Sequence, residues 1–314
     1  MKVKFWGVRG SVPVPLTNMQ LQRKISAVVQ RIEPEDLVSP EARELFISKL
    51  PDYIFTTVGG NTTCVEVMLN DGTIALFDAG TGIREFGISL SKQGKHIRDY
   101  HVFFSHFHWD HIQGLLFFSP QVFNPECSIT FYSPVKNLKE ILSNQMKLPY
   151  FPITIDQFRA KINYVTIPPE GVTLGNAKVT CRAVNHPGGC YAYKITENDK
   201  SLVFSTDTEL READFIKNEK STKFFENTDL LIIDSQYTLD EALEKHDWGH
   251  TSFSLGVEFA SEWMIKKVVL FHHEPLYEDK KVYEILEKAR WYANNLYSYS
   301  PEVILAREGL EIEV

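Results

Sequence analysis

The chain has 314 residues, 43% of them hydrophobic, which is enough to bury one large core or two smaller ones without help from disulfides. Its net charge of −8 opposes broad contact with nucleic acid, which needs many Lys and Arg against phosphates, so a small-molecule or short substrate is expected and extended nucleic acid is not. The longest apolar runs, such as Leu230–Ile233, fall far short of the roughly 20 residues that cross a bilayer, so no membrane span is expected.

In chain order, Val3–Trp6 opens on an alternating strand pattern with no apolar signal core before it, and a cytoplasmic protein is expected. Residues from about Asn18 to Leu50 look inserted. Leu21, Ile25, Val28, Val29 and Ile32 recur at helical spacing, and Pro40-Glu41-Ala42-Arg43-Glu44 reads as a second helix start with Pro in its first turn. A helical hairpin follows from this, lying either over the active-site side or on the surface as decoration. Strands are predicted at Cys64–Leu69 and Thr73–Phe77, then a helix near Ile83–Ser91 and a strand over Tyr100–Phe104. The second half repeats the style, with strands at Ile162–Ile167, Ala177–Ala183, Tyr191–Ile195, Ser201–Ser205 and Asp229–Ile233. A helix near Ser252–Met264, a strand at Lys267–Phe271 and a helix over Lys280–Asn294 close the list. Two sheets with helices outside are implied, in one domain spanning 1–314, because no repeat, low-complexity tract or Gly/Ser linker divides the chain. Cys64, Cys127, Cys181 and Cys190 are scattered without a Cys-x-x-Cys pair, which fits reduced thiols; Cys64 and Cys181 read as small core filler.

The strand Tyr100–Phe104 runs into Ser105-His106-Phe107-His108-Trp109-Asp110-His111, four potential metal ligands within six residues. In an extended segment His106 and His108 point the same way and can reach one ion, and the turn beyond them offers Asp110 and His111 to a second. A strand of apolar residues has no structural use for four such groups.

Two sites need further ligands, each expected at a strand end. His186 follows Val179–Val184 and precedes Pro187-Gly188-Gly189, which stops the strand. Asp207 follows Leu202–Thr206, and a carboxylate ending a buried strand is costly unless it meets a cation or donors. With two oxygens it is also a natural bridge between ions roughly 3.5–4 Å apart, although a turn or helix cap would use an Asp there as well. His272 closes Val268–Phe271 and is followed by His273, so either histidine could be the ligand.

The pattern resembles the metallo-β-lactamase superfamily, whose His-x-His-x-Asp-His motif is matched at His106 to His111. The likeness extends from Phe5-Trp6-Gly7 through Gly59-Gly60-Asn61-Thr62 and Phe77-Asp78-Ala79-Gly80-Thr81-Gly82 to Phe271-His272-His273-Glu274-Pro275. It implies a four-layer αβ/βα sandwich of the α/β class, with the metals at the upper edge between two sheets. It also implies that one metal takes His106, His108 and His186, that the other takes Asp110, His111 and His272, and that Asp207 bridges them. His/Asp ligands suit zinc, manganese and iron alike, with zinc the expectation for the two divalent ions.

Two metals holding a hydroxide at neutral pH make a nucleophile and stabilise charge on an attacked phosphoryl or carbonyl group, so hydrolysis is the expected reaction. Trp248-Gly249-His250-Thr251-Ser252 looks like the element of the ribonuclease Z branch whose histidine faces the scissile phosphate, and Asp234 ends a strand where that branch orients the histidine. The resemblance therefore makes His250 and Asp234, with Asp110, the catalytic set. The competing reading is a turn in which Thr251 or Ser252 caps the next helix and His250 lies on the surface. Nothing between Gly114 and Asn185 resembles that branch's tRNA-gripping arm, and Trp6–Ser11 with Phe271–Pro275 is closer to a bacterial phosphodiesterase-like subgroup. Tyr150 and Phe151 are candidates to stack a base, and Arg9 to meet a phosphate. The expected function is a phosphodiesterase for a small cyclic or short nucleotide. A lactam, lactone or thioester hydrolase and a di-iron redox or sensor protein are the alternatives, and a homodimer is compatible with the sequence.

Overall fold

The computed structural model describes residues 1–92 and 97–314. Its strands are β1 (Lys2–Gly7), β2 (Cys64–Met68), β3 (Ile74–Phe77), β4 (Asp99–Phe103), β5 (Ser128–Ser133), β6 (Lys161–Thr166) and β7 (Val172–Leu174). The second half adds β8 (Ala177–Val184), β9 (Cys190–Glu197), β10 (Lys200–Ser205), β11 (Leu230–Asp234), β12 (Lys267–Phe271), β13 (Glu302–Leu305) and β14 (Glu311–Glu313). They form two sheets, ordered β14-β1-β2-β3-β4-β5-β6 and β13-β12-β11-β10-β9-β8-β7. Each sheet joins antiparallel neighbours at one end to parallel neighbours at the other. In the first, β14 through β3 pair antiparallel and β3 through β6 parallel. In the second, β7 through β10 pair antiparallel and β10 through β13 parallel.

The central strands read as continuous apolar runs because both their faces are covered. Successive side chains of a strand point to opposite faces. In β3, Ala75 and Phe77 face the opposite sheet, while Ile74 and Leu76 face the helical layer that includes Ile83, Phe86 and Leu90. In β12, Val269 and Phe271 face inward, and Val268 and Leu270 meet Val257, Phe259 and Ile285 from the helices Phe253–Glu262 and Asp279–Asn295. Four layers result, with an aromatic seam between the sheets: Phe77 lies 5.2 Å from Phe103 and 5.4 Å from Phe204, which lies 5.9 Å from Phe271. Burying each such ring is worth roughly 1.5–3 kcal/mol over leaving it in water.

Between positions 18 and 50 the chain forms helices Asn18–Val29 and Pro40–Ser48, capped by the side chains of Thr17 and Ser39. Neither helix buries a residue. The first is tied down by Lys24, whose Nζ lies 2.7 Å from Asp279 Oδ2 and donates to Thr56 O at 2.8 Å. Cys64 is fully buried, as core filler should be, but Cys181 is only half-buried on β8. Among the described residues no helix is long and apolar enough to cross a membrane.

Candidate metal centre

The strand ends β3, β4, β8, β10, β11 and β12 supply the site. Beyond β4 the backbone stays extended to His108 (φ −63°, ψ 153°), so His106 and His108 share a face, with ring centroids 4.5 Å apart. A one-turn helix, Trp109–Ile112, then turns Asp110 and His111 inward, and both are buried. Asp78, Asp207 and His272 each stand just past a strand end in left-handed backbone, with φ of 62°, 36° and 61°. Non-glycine residues held there cost of order 1–3 kcal/mol, and such strain clusters at functional sites.

The seven expected ligands converge in two overlapping groups. His106, His108, His186 and Asp207 form one, and Asp110, His111, Asp207 and His272 the other, each with ligand atoms within 4.8 Å of one another. Asp207 divides its oxygens between them. Oδ2 lies 3.6 Å from His106 Nε2 and 3.8 Å from His186 Nε2, whereas Oδ1 lies 3.1 Å from both His111 Nε2 and His272 Nε2. Asp110 Oδ2 is 3.1 Å from His111 Nε2 and 3.4 Å from His272 Nε2.

These separations suit cations. Four ligands at about 2.1 Å from a tetrahedral ion stand about 3.4 Å apart. The Nε2 atoms of His106, His111 and His272 are buried without a hydrogen-bond partner, a costly arrangement that metal coordination removes. Burial first, then the neighbouring imidazoles, push His106 down towards the neutral form that binds metal; burial likewise lowers His186, against the pull of Asp207. Burial alone would raise the Asp207 carboxyl, but His111, His272 and His106 hold it well below the usual range.

A second ring of contacts sets each imidazole. His111 Nδ1 lies 2.8 Å from Asp78 Oδ2, and Asp78 accepts from Ser105 N and Oγ at 2.7 Å each. His186 Nδ1 donates to Gly249 O at 2.9 Å. His272 Nδ1 donates to Gln236 Oε1 at 3.1 Å, and Gln236 Nε2 donates to Glu274 Oε2 at 2.8 Å. Each leaves Nε2 free for a metal. Ser11 N donates to Asp110 Oδ2 at 2.8 Å. A side chain at Gly10 would meet the His272 ring at 2.5 Å, and one at Gly249 would meet His186 Nδ1 at 2.2 Å, so both rings rest against bare backbone. Asp78, Gln236, Ser11, Gly10 and Gly249 were not read as functional from sequence. Asp78 carried the same signal as Asp207, a carboxylate ending an apolar strand.

His273, the other candidate at the last strand, turns away. Its Nε2 donates to Ala306 O at 2.8 Å, and burial, then Arg9, pushes its pKa down to about 3.

His250 lies beside the cluster, its ring centroid 5.1 Å from His272 and 5.2 Å from His186. Its Nδ1 is 2.7 Å from Asp234 Oδ2, at the end of β11. Burial would lower this imidazole, but the Asp234 carboxylate prevails and holds it up at about 9. Ser252 does cap the following helix, accepting from Leu255 N at 3.3 Å, yet His250 points inward, with its side chain 11% exposed.

A cavity of about 390 Å³ opens over the cluster, lined by Ser11, Phe107, His108, Trp109, Asp110, Asp207 and His250. The low-lying candidates for substrate contact fall elsewhere. Arg9 is 3% exposed and spends its guanidinium on Gly59 O, Glu274 O and Tyr277 O, with Asp279 3.8 Å away, so it faces the interior rather than a phosphate. Tyr150 is exposed and Phe151 stands edge-on to Phe117, and neither lines the cavity. The aromatic residues that do line it, Phe107 and Trp109, occupy the variable positions of the His106–His111 motif.

Residues 73–273 match the family described as "Beta-lactamase superfamily domain". Ribonuclease BN of Salmonella paratyphi C is 24% identical over 285 residues, covering 73% of this chain and 89% of its own length. Ribonuclease Z of Thermoplasma acidophilum is 24% identical over 265 residues, covering 70% and 82%. Among solved structures, the metallo-β-lactamase fold protein YhfI from Bacillus subtilis superposes with a TM-score of 0.65 at 18% identity, over 100% of this chain and 98% of that one.

Proposed function

The chain belongs to the β-lactamase superfamily, and we propose that it is a dinuclear metal-dependent phosphodiesterase acting on a small cyclic or short nucleotide. The single observation that carries this reading is the His250–Asp234 pair, 2.7 Å apart, at the wall of the cavity above the histidine–aspartate cluster. A thioester, whose thiolate departs without a proton, does not need a second, cationic acid; a phosphodiester that expels a ribose alkoxide does.

His106, His108 and His186 would hold one ion and Asp110, His111 and His272 the other, with Asp207 common to both groups. Zinc is the assigned metal, with manganese or iron fitting the same ligands. When bound, the pair supplies Lewis acidity at the attacked group and an activated water at neutral pH. The protein's own groups do the rest. Asp234 holds the Nδ1 proton of His250 and fixes the ring so that Nε2–H faces the cavity. The Asp234 carboxylate favours the protonated imidazole, which donates its proton to the departing oxygen. Asp110, fixed by Ser11 N, is the assigned proton acceptor for the attacking water.

Two further facts support a short substrate. Among the described residues no Lys or Arg lines the cavity, and the chain carries a net charge of −8, which gives little support there to a long phosphate backbone. The names of the ribonuclease BN and ribonuclease Z relatives favour phosphodiester chemistry over lactam or thioester cleavage.

The test is His250→Ala with metal content measured alongside. Cleavage of a diester with a ribose leaving group should fall by roughly 10²–10⁴-fold, and cleavage of one with a p-nitrophenolate leaving group, which departs without a proton, should fall far less. Parent rates on both would remove the reading and turn attention to lactone and thioester substrates.

A further inference from the structure

Trp109 is 81% exposed although its neighbours Asp110 and His111 are buried. Its backbone is not free to move. It opens the one-turn helix Trp109–Ile112, closed by the bond from His111 N to His108 O at 3.0 Å, and it is flanked on both sides by cluster residues. Among the described residues no ring or cation lies over its indole. The indole stands on the cavity rim beside Phe107, whose ring is held 5.8 Å from Phe104 of the core. The cavity therefore has a floor of histidine and carboxylate and one aromatic wall. Among the described residues its lining holds no Lys or Arg, and its His250 is paired with Asp234, so the contact for a nucleotide's base falls to this aromatic wall.

We propose that Trp109 is the base-stacking face of the substrate site, and that the substrate is a nucleotide whose purine or pyrimidine lies on the indole while its phosphate reaches the cluster. The proposal rests on the phosphodiesterase reading for its choice of ligand, but its test does not require turnover. Every base offers a π-face, and the one-turn helix Trp109–Ile112 fixes the backbone from which the indole projects. The stacking role expected of Tyr150 and Phe151 passes in this way to Trp109, supported by Phe107.

The experiment compares adenosine 5′-monophosphate with ribose 5-phosphate, by calorimetry on the metal-loaded chain. Base stacking should make the nucleotide bind roughly 5- to 150-fold more tightly than the base-free phosphate. Trp109→Ala should erase that preference and leave ribose 5-phosphate binding unchanged. Trp109→Phe should keep most of the preference, and Trp109→Leu, apolar but without a ring face, should not. Metal content is measured for each variant, and the Phe and Leu pair decides the matter if Ala loses metal. Equal binding of the two ligands by the parent, an equal loss of both in Trp109→Ala, or a preference retained in Trp109→Leu would overturn the proposal. A retained preference in a chain that cleaves no phosphodiester would remove the proposed reaction and leave the base site standing.

Discussion

Asp234 Oδ2 lies 2.7 Å from His250 Nδ1 and also accepts from Thr208 N at 3.2 Å, while Asp234 Oδ1 accepts from Gln236 N at 3.0 Å. The carboxylate is thus fixed by backbone on both oxygens before it touches the imidazole. Asp234→Asn keeps the shape but removes the charge that holds His250 protonated. The expected outcome is a loss on a ribose-leaving diester smaller than that of His250→Ala, with both metals retained, and a pH–rate profile whose fall on the alkaline side moves to lower pH. A profile unchanged in position would show that Asp234 does not set the His250 proton.

Asp78 makes the corresponding contact to His111 Nδ1 at 2.8 Å. Asp78→Asn should weaken metal binding by roughly 10–100-fold, the usual effect of removing a carboxylate behind a metal-binding histidine. Competition with a chelator of known affinity measures it. Unchanged affinity would mean that Ser105 and the buried backbone hold His111 without the charge.

The two histidines that follow β12 should behave oppositely. His272→Ala removes a nitrogen 3.1 Å from Asp207 Oδ1 and should lose one metal, whereas His273→Ala removes only a donor to Ala306 O and should keep both. Elemental analysis decides between them, and equal loss would contradict the assignment.

His273 also predicts an acid response. Its folded pKa of about 3 lies below the ordinary value of 6.5, so its contribution to stability is complete above about pH 6.5 and is lost progressively as the pH falls towards 3. In urea unfolding of the metal-free chain, His273→Asn should flatten the decline of stability over that window by up to about 1.4 kcal/mol per pH unit. An unchanged slope would show that His273 is not the titrating group.

How much of this could be read beforehand depended on how locally each feature is encoded. His106, His108, Asp110 and His111 declare themselves within six residues, Asp207 and His272 stand out because each follows an apolar strand, and His186 because a Pro-Gly-Gly turn stops its strand there. Two sheets with helices outside followed from apolar runs such as Ile74–Phe77 and Leu230–Ile233, and their four-layer stacking from the family resemblance. The strands β7, β13 and β14 escaped because they have only three or four residues and little room for a period to show. Ser128–Ser133 was passed over as well, although it alternates polar and apolar residues. Gln236 and Gly249 are ordinary turn residues until folding brings them against His272 and His186, and no pattern along the chain marks such pairs. Arg9 failed for the opposite reason. A basic residue in a glycine turn looks like a phosphate ligand, but three backbone carbonyls and the pull of Asp279 draw it inside.

The central claim, two metal ions bridged by Asp207, is tested most directly by elemental analysis of the reconstituted chain beside its His108→Ala variant. His108 belongs to one group alone, with its Nδ1 3.1 Å from His186 Nε2. The parent should carry two divalent ions per chain, and the variant should fall to one or fewer with hydrolysis abolished, because the first site drops below its ligand count. Two ions retained in His108→Ala, or no more than one in the parent at saturating metal, would contradict the account.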